Sequence, residues 1–366
     1  MTEPRDRRVL VVGAGVAGLA TAWALRRHGL TVEIVERRAQ WGAEGSGLFL
    51  PANAVRALRE LGLASAVTRA CPVRRQRLFD HHGRRLSTVD LGKVWPGMDA
   101  CVALHRTDLH AALRAAARDI PLRMGTAVTS IMDGDHPVVT CSDGSSRSYD
   151  LVIGADGIHS TVRALVFGGP APEPVGQVSW RFVVDGDASI SDWNAWLGPH
   201  RSFLAVAIGG DRTYCYADLA RERAVADQDW REAFADFAEP VVTLMSRAGT
   251  AHRAEIEQIT PPTWCAHRVV LVGDAAHAAP PNMAQGAAMA FEDAAVLAEV
   301  LTSGQPVDHA LEAYERRRAP RAAWVLRQAY ERDRTRAMAP VLRNAVLRLA
   351  APRIISATYR PLRSAA

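Results

Sequence analysis

The hydrophobic pattern at the start of the chain predicts a strand, a glycine turn, a helix and a second strand. Arg8–Val12 is a short apolar run of the type found in buried parallel strands. A glycine-containing segment follows, and a helical pattern then runs through Leu25 and ends near His28-Gly29. Leu30–Glu36 is the next predicted strand.

Similar patterns return much later in the chain. Leu151–Gly154 and Arg268–Val272 again have the composition of buried parallel strands. Arg106–Ala117 is predicted as a helix, and two further helices are predicted from about Gly286 to Leu301 and from Val307 to about Ala337. These segments predict one α/β lobe whose parts are separated along the chain.

A second lobe is predicted between them. In Gln177–Val184 and Ser202–Leu219, apolar and polar residues tend to alternate, and aromatic and turn residues are frequent. This pattern favours antiparallel strands. An arginine-rich helical tail, broken by Pro340, Pro352 and Pro361, ends the chain. The predicted boundaries are 1–72, 101–170 and 265–335 for the discontinuous first lobe, 73–100 and 171–264 for the second, and 336–366 for the tail.

Composition narrows the class of protein. The 366 residues are 48% hydrophobic, enough for a substantial core. The net charge of +5 comes from scattered arginines, so nucleic-acid binding is not expected. Five cysteines without metal-ligand spacing predict reduced thiols in a cytoplasm and no metal site. No signal peptide or membrane span is expected.

The first chemical motif is Gly13-x-Gly15-x-x-Gly18, with Glu36 at the end of the next strand. The glycines allow a tight turn, a close approach of pyrophosphate and close helix packing, while the helix N-terminus offers free amides. Glu36 is placed to accept from adenosine ribose hydroxyls. This unit predicts a dinucleotide but does not choose between FAD and NAD. The residues predicted to bind it are Gly13, Gly15, Val16, Ala17, Gly18, Glu36 and Arg37.

The second motif favours FAD. Arg268–Val272 leads through Gly273 to Asp274, and a second helix N-terminus follows after Pro281. NAD needs no second carboxylate or helix N-terminus, because the first motif already holds its pyrophosphate. FAD can use both: the carboxylate can bind a hydroxyl of the ribityl chain, and the helix N-terminus can face the flavin edge that becomes negative on reduction. A structural alternative is an Asp that only caps a helix. The predicted cofactor residues here are Asp274, Gln285, Gly286, Ala287 and Ala288.

With these motifs the chain resembles, over nearly its whole length, the group A flavoprotein monooxygenases, the family of p-hydroxybenzoate and salicylate hydroxylases. Asp156-Gly157-x-x-Ser160-x-x-Arg163 is similar to the family's Asp-Gly motif, which serves both FAD and the pyridine nucleotide. Arg106 matches an arginine near the FAD, and Gly47 lies in a segment, Gly45–Asn53, similar to a flavin-contacting loop. Two departures are an early proline in that segment and Ala284-Gln-Gly in place of Gly-Gln-Gly.

The resemblance implies an α/β fold with a Rossmann-like FAD-binding domain, an inserted antiparallel-sheet substrate domain and C-terminal helices. It also implies FAD as cofactor and NADH or NADPH as co-substrate. Dioxygen would add to flavin C4a, and the resulting hydroperoxide would hydroxylate a small aromatic or heteroaromatic substrate. A monomer or homodimer is expected.

The substrate site is expected on the second lobe and around Pro281. Arg201 is a candidate for holding a carboxylate or polarising a carbonyl, although a surface arginine is as good an interpretation. Tyr214 and Tyr216 share one strand face. One of them is a candidate to reach the substrate, and the alternative is that both pack in the core. Asn282 is a further candidate, whereas packing is the default for Trp180 of Trp180-Arg181. The predicted catalytic residues are Arg201, Tyr214, Pro281 and Asn282.

Other functions stay open at this level. A flavin-dependent epoxidase or oxidase acting on a non-aromatic natural-product intermediate would share the FAD lobe. A catalytically idle flavin-binding protein is a different class, which the intact Asp156-Gly157 motif disfavours.

Overall fold

The structure is a computed structural model that describes residues 7–42, 46–186, 190–224, 229–261 and 263–366. Its helices are α1 (Val16–Arg27), α2 (Ala52–Glu60), α3 (Leu91–Val94), α4 (Arg106–Ala116), α5 (Thr161–Phe167), α6 (Val241–Ser246), α7 (Asp274–His277), α8 (Gly286–Leu301), α9 (Val307–Ala337) and α10 (Pro340–Tyr359). Its strands are β1 (Arg8–Val12), β2 (Thr31–Glu36), β3 (Gly47–Leu50), β4 (Cys71–Val73), β5 (Arg75–Asp80), β6 (Arg85–Asp90), β7 (Cys101–His105), β8 (Leu122–Met124), β9 (Val128–Met132), β10 (Val138–Cys141), β11 (Ser146–Ser148), β12 (Leu151–Gly154), β13 (Glu173–Asp185), β14 (Trp193–Gly198), β15 (Arg201–Gly209), β16 (Arg212–Ala220), β17 (His252–Gln258), β18 (Cys265–Ala266) and β19 (Val269–Leu271).

The apolar runs of the sequence form a six-stranded sheet in the order β18-β19-β12-β1-β2-β8. β1 pairs in parallel with β12 and β2, so that Val11 lies between Ile153 and Ile34. Nearly every residue of β1, β12 and β19 is buried, as expected for central strands of a parallel sheet. The carboxyl ends of β1 and β12 therefore meet at one edge, where the glycine motif and the Asp-Gly motif begin.

The alternating segments form a seven-stranded sheet in the order β17-β13-β16-β15-β14-β5-β6. Its neighbours are antiparallel except for β14 and β5, which run in parallel. One face, the outer face, is covered by an aromatic cluster that includes Trp180, Phe203 and Phe234 together with residues of α6. The opposite face, the inner face, packs on the rest of the molecule through residues such as Val206 and Tyr214.

Two long helices complete the chain. α9 and α10 lie at the predicted helical regions, and the strands Arg8–Val12 and Leu151–Gly154 and the helix Gly286–Leu301 match their predicted bounds. The predicted break at Pro352 is wrong, because α10 continues through this residue. Contacts on both sides of Pro352 hold the helix, through buried Arg343 and buried Tyr359.

Candidate active site

A cleft of about 660 Å³ opens where β1 and β12 end. Gly13 has a φ of 104°, and a Cβ there would lie 2.5 Å from the Ala155 oxygen, so only glycine fits. A Cβ on Gly18 would lie 1.9 Å from the Gly13 oxygen, which explains the close packing of α1. Gly15 faces open space, beside the free amides of the first turn of α1, Val16 and Ala17. The turn therefore presents backbone donors to a cavity large enough for a phosphate.

Glu36 lies at the second wall of this cleft. Its carboxylate accepts from the Ala14 amide at 2.8 Å and from the Arg38 amide at 2.9 Å. These bonds fix the carboxylate beside the glycine turn, and Arg37 lines the same cleft. Sequence reasoning missed the Trp41 and His110 rings, 5.2 Å apart at one end, where Arg114 lies 4.1 Å over Trp41. The two rings pack edge to face, and with Arg114 they form an aromatic and cationic wall suited to an aromatic base.

The Asp-Gly motif forms the opposite side of the cleft. Asp156 accepts from the Thr161 amide at 2.7 Å and the Val162 amide at 3.1 Å, at the N-terminus of α5. Burial raises the pKa of Asp156, although these hydrogen bonds oppose the shift. Arg163 is buried and donates to the Ala275 oxygen at 2.9 Å. The motif thus fixes its own loop and ties it to the segment that carries Asp274.

A second helix N-terminus faces the same region. Gly273 has a φ of 59°, and a Cβ there would lie 2.6 Å from Cβ of Ala17, so the two motifs are in direct contact. Asp274 is exposed, and its carboxylate lies next to Gly286, the first residue of α8. Gly286 and Ala287 are solvent-accessible, whereas Ala288 is buried. Asp274 and the first α8 amides therefore form one polar patch next to the glycine turn.

A buried charge network lies beneath this patch. Asp293 accepts from the Gly273 amide at 2.8 Å, from His277 at 2.6 Å and from Arg318 at 2.8 Å. Burial alone would raise the pKa of Asp293, but His277 and Arg318 outweigh it and hold the pKa at about 2. Arg318 also contacts Glu292 at 2.7 Å. The network anchors Gly273. Its only trace in the sequence is a pair of acidic residues, Glu292 and Asp293, inside an apolar helix.

The side chains on the inner face of the seven-stranded sheet lie in cross-strand rows. In the middle row, Arg181 is paired with Tyr216, which is paired with Leu204. In the next row Tyr214 lies beside Val206 and packs on Gly47, where a Cβ would lie 2.2 Å from the tyrosine. Burial raises the pKa of Tyr214, and raises that of Tyr216 well above its ordinary value. Both phenols therefore stay protonated and are able to donate a hydrogen bond.

Arg181 is the residue that sequence reasoning passed over. Its guanidinium lies 5.7 Å from the centre of the Tyr216 ring, and its Nε is buried without a hydrogen-bond partner among the described residues. Tyr216 and Leu204, which share its cross-strand row, are only half-buried. The period-two spacing of Arg181 with Val183 was a usable signal, since it puts Arg181 on the face of Tyr216 and Trp180 on the outer face.

A family model described as FAD binding domain matches residues 6–329 of the chain. The chain belongs to the group A flavoprotein monooxygenases. It is 33% identical to 2-heptyl-3-hydroxy-4(1H)-quinolone synthase of Pseudomonas aeruginosa over 88% of this chain and 87% of that protein. It is 30% identical to 6-hydroxynicotinate 3-monooxygenase of Pseudomonas fluorescens over 87% of this chain and 89% of that protein. A crystal structure of Klebsiella pneumoniae HpxO with FAD and uric acid has 27% identity and a TM-score of 0.90, covering 97% of this chain and 96% of that one.

These relationships confirm the predicted fold class and the prediction of an FAD-dependent monooxygenase of small aromatic or heteroaromatic rings. The geometry of the cleft also fits FAD. Open space over Gly15, the α1 amides and Glu36 suit an adenosine diphosphate, and Asp274 with the α8 N-terminus suits a polyol and a flavin edge. Arg106, exposed at the start of α4, lines the cleft as well.

In this monooxygenase some predicted residues lie away from the cofactor or the inner face. The side chain of Gln285 is buried and exchanges hydrogen bonds with Asn53 at 2.9 and 3.3 Å, so it faces the interior. Arg201 lies on the outer face, pairs with Asp236 at 2.6 Å and covers Phe237. The structure therefore does not bring Arg201 to the face of Tyr214. Tyr214 pairs with Val206, and Arg201 is an odd number of residues from Val206 on the same strand, so its side chain points to the other face. Gly45 of the predicted flavin-contacting loop lies outside the described residues.

The loop before α8 is held against α9. Asn282 donates to the Ala329 oxygen at 3.0 Å and to Asp333 at 3.1 Å, while its side-chain oxygen is buried without a partner among the described residues. Pro281 is exposed.

Within the part of the chain that the structure describes, no helix is long and apolar enough to cross a membrane.

Proposed function

We propose that this monooxygenase hydroxylates a small nitrogen-containing heteroaromatic ring that carries one oxygen substituent, bound against the inner face of the seven-stranded sheet. NADH or NADPH supplies the electrons, and the enzyme works in the cytoplasm as a monomer or homodimer. The five cysteines of the chain are all free thiols, which supports the reducing location.

One observation carries the proposal. The buried, unpartnered Nε of Arg181 lies beside the ring of Tyr216, in the same cross-strand row as the half-buried apolar side chain of Leu204. A buried donor without a partner costs about 1–3 kcal/mol, which an incoming acceptor would recover. A flat apolar ring with one carbonyl, hydroxyl or carboxylate oxygen matches this pattern. The names of the relatives, a quinolone synthase and a hydroxynicotinate monooxygenase, support a nitrogen heterocycle.

Bound FAD supplies the redox chemistry that activates dioxygen. The residues of the chain then have three tasks. Asp274 and the first amides of α8 hold the cofactor against Gly273, which Asp293 fixes from below. Arg181 and Tyr216 donate hydrogen bonds to the oxygen substituent of the substrate ring, and this stabilises the electron-rich anionic form of the ring that is hydroxylated. Tyr214, Pro281 and the free oxygen of Asn282 complete the proposed site.

The proposal is tested with the purified holoenzyme and a panel of quinolones, hydroxypyridines, purines, phenols and non-aromatic ketones. We expect a heterocycle to stimulate NAD(P)H consumption, and the product to contain one oxygen atom from labelled dioxygen. Hydrogen peroxide without labelled product for every ring would indicate an oxidase and contradict the proposal. Labelled product from the ketones alone would indicate a non-aromatic substrate and contradict it as well.

A further inference from the structure

The outward side of α10 is an exposed apolar surface. Among the described residues eight large hydrophobic side chains are exposed, and four of them lie on α10. Val341, Leu342 and Leu349 share its outward side, whereas Ile354 lies on another side of the helix. Val341 and Leu349 are 86% and 82% exposed, against values of a few per cent in the core. Such a concentration on one helix marks an interaction site.

This surface is continuous and basic. Its exposed residues, which we call the α10 stripe, are Val341, Leu342, Ala345, Arg348, Leu349, Pro352 and Arg353. On a helix of about 3.6 residues per turn these positions fall within an arc of roughly 140°. From Arg334 to Ala366 the chain has seven arginines and no Asp or Glu. Arg348 and Arg353 make no salt bridge within the part of the chain that the structure describes.

The stripe is held rigidly by the other side of α10. Buried Arg343 donates to the oxygens of Gly198 at 2.8 Å and Leu197 at 2.9 Å, so the helix is fixed to β14 of the seven-stranded sheet. Near its C-terminal end Tyr359 donates to the Met283 oxygen at 3.2 Å, next to the loop that contains Pro281. The stripe is therefore a preformed surface beside the proposed substrate site.

We infer that the α10 stripe binds the surface of an anionic phospholipid bilayer. Apolar side chains flanked by arginines, with no acidic residue nearby in sequence, complement a layer of lipid chains under phosphate headgroups. A second copy of the chain fits less well. Arg348 lies near the middle of the stripe, so a twofold contact would bring it against its own copy with no carboxylate of α10 to neutralise the pair.

The inference is independent of the identity of the substrate, and co-sedimentation with vesicles tests it. The FAD-loaded full chain is mixed with phosphatidylcholine vesicles that contain either no or about a third phosphatidylglycerol. We expect binding to the anionic vesicles, weakened by salt. Leu349→Glu should reduce the partition coefficient by roughly tenfold to a hundredfold. Replacing Arg348 and Arg353 by Gln should reduce it by about fivefold for each arginine.

Met132→Glu is the matched control, because Met132 is 66% exposed but lies on β9, away from the stripe. Unchanged flavin absorbance confirms that each variant is folded. Equal binding to neutral and anionic vesicles, wild-type binding by Leu349→Glu, or an equal loss in Met132→Glu would each overturn the inference. A dimer that Leu349→Glu dissociates, in a protein that does not bind vesicles, would assign the stripe to self-association and overturn it too.

Discussion

Removing the negative charge of Asp293 should loosen both the fold and the cofactor site. Asp293→Asn keeps the size of the side chain but weakens its contacts with Gly273, His277 and Arg318, all of which lie within 2.8 Å. Breaking a fully buried ion pair from one side costs about 3–5 kcal/mol, because the partner charge stays buried. We expect a loss of this size in the free energy of unfolding, and weaker FAD retention because Gly273 loses its anchor.

The pH dependence of the stability provides a second test of the same buried contacts. The folded pKa of Asp293 is about 2, below an ordinary value of about 4 in the unfolded chain. This difference corresponds to about 3 kcal/mol. Because the folded pKa is the lower one, the stabilisation is complete above about pH 4 and is lost as the pH falls through about 2. In Asp293→Asn this part of the acid sensitivity should be absent.

Urea unfolding followed by tryptophan fluorescence and flavin release measures both effects. Asp236→Asn is the matched control, since Asp236 also pairs with an arginine, Arg201, but is 49% exposed. A pair of this kind contributes about 0–1 kcal/mol. If Asp293→Asn shifts the unfolding free energy no more than Asp236→Asn does, the buried network does not anchor the site and the reasoning is refuted.

Three further substitutions probe separate parts of the site. Asp274→Ala should weaken FAD binding roughly tenfold to a hundredfold while circular dichroism stays unchanged; an unaltered FAD dissociation constant, measured by fluorescence titration, would remove the Asp274 carboxylate from the cofactor site. Gly18→Ala should give protein without FAD or without a stable fold, because the new Cβ would lie 1.9 Å from the Gly13 oxygen; a yellow, stable variant would show that the turn yields. Tyr216→Phe should keep NAD(P)H oxidation but divert part of it to hydrogen peroxide, and full coupling in a peroxide assay would remove the phenol from the site.

The cofactor half of the fold could be predicted from sequence because its signals are local. A buried strand, a glycine turn and Glu36 lie within one short unit, and Gly13 and Gly18 have backbone contacts that only glycine allows. The helix Gly286–Leu301 was predictable for the same reason, since its apolar run and its start are continuous in sequence.

The residues of the proposed substrate site were harder to predict, because a side chain reaches the inner face only if it has the right position in the alternation along its strand. A candidate chosen by residue type, Arg201, lies on the outer face, whereas Arg181 lies on the inner face beside Tyr216.

The contacts of Gln285 with Asn53 and of Asp293 with Arg318 join residues that are far apart in the chain. No pattern in a single segment could indicate such pairs.

The most direct test of the proposed site compares Arg181→Leu with Arg201→Leu in the same holoenzyme assay. Both variants remove one arginine from the seven-stranded sheet, one from the inner face and one from the outer face. Labelled product per NAD(P)H consumed is measured with the best heterocycle, at matched FAD content. We predict that Arg181→Leu loses most of its labelled product while Arg201→Leu retains the coupling of the wild type. Wild-type coupling in Arg181→Leu, or an equal loss in both variants, would contradict a substrate site on the inner face.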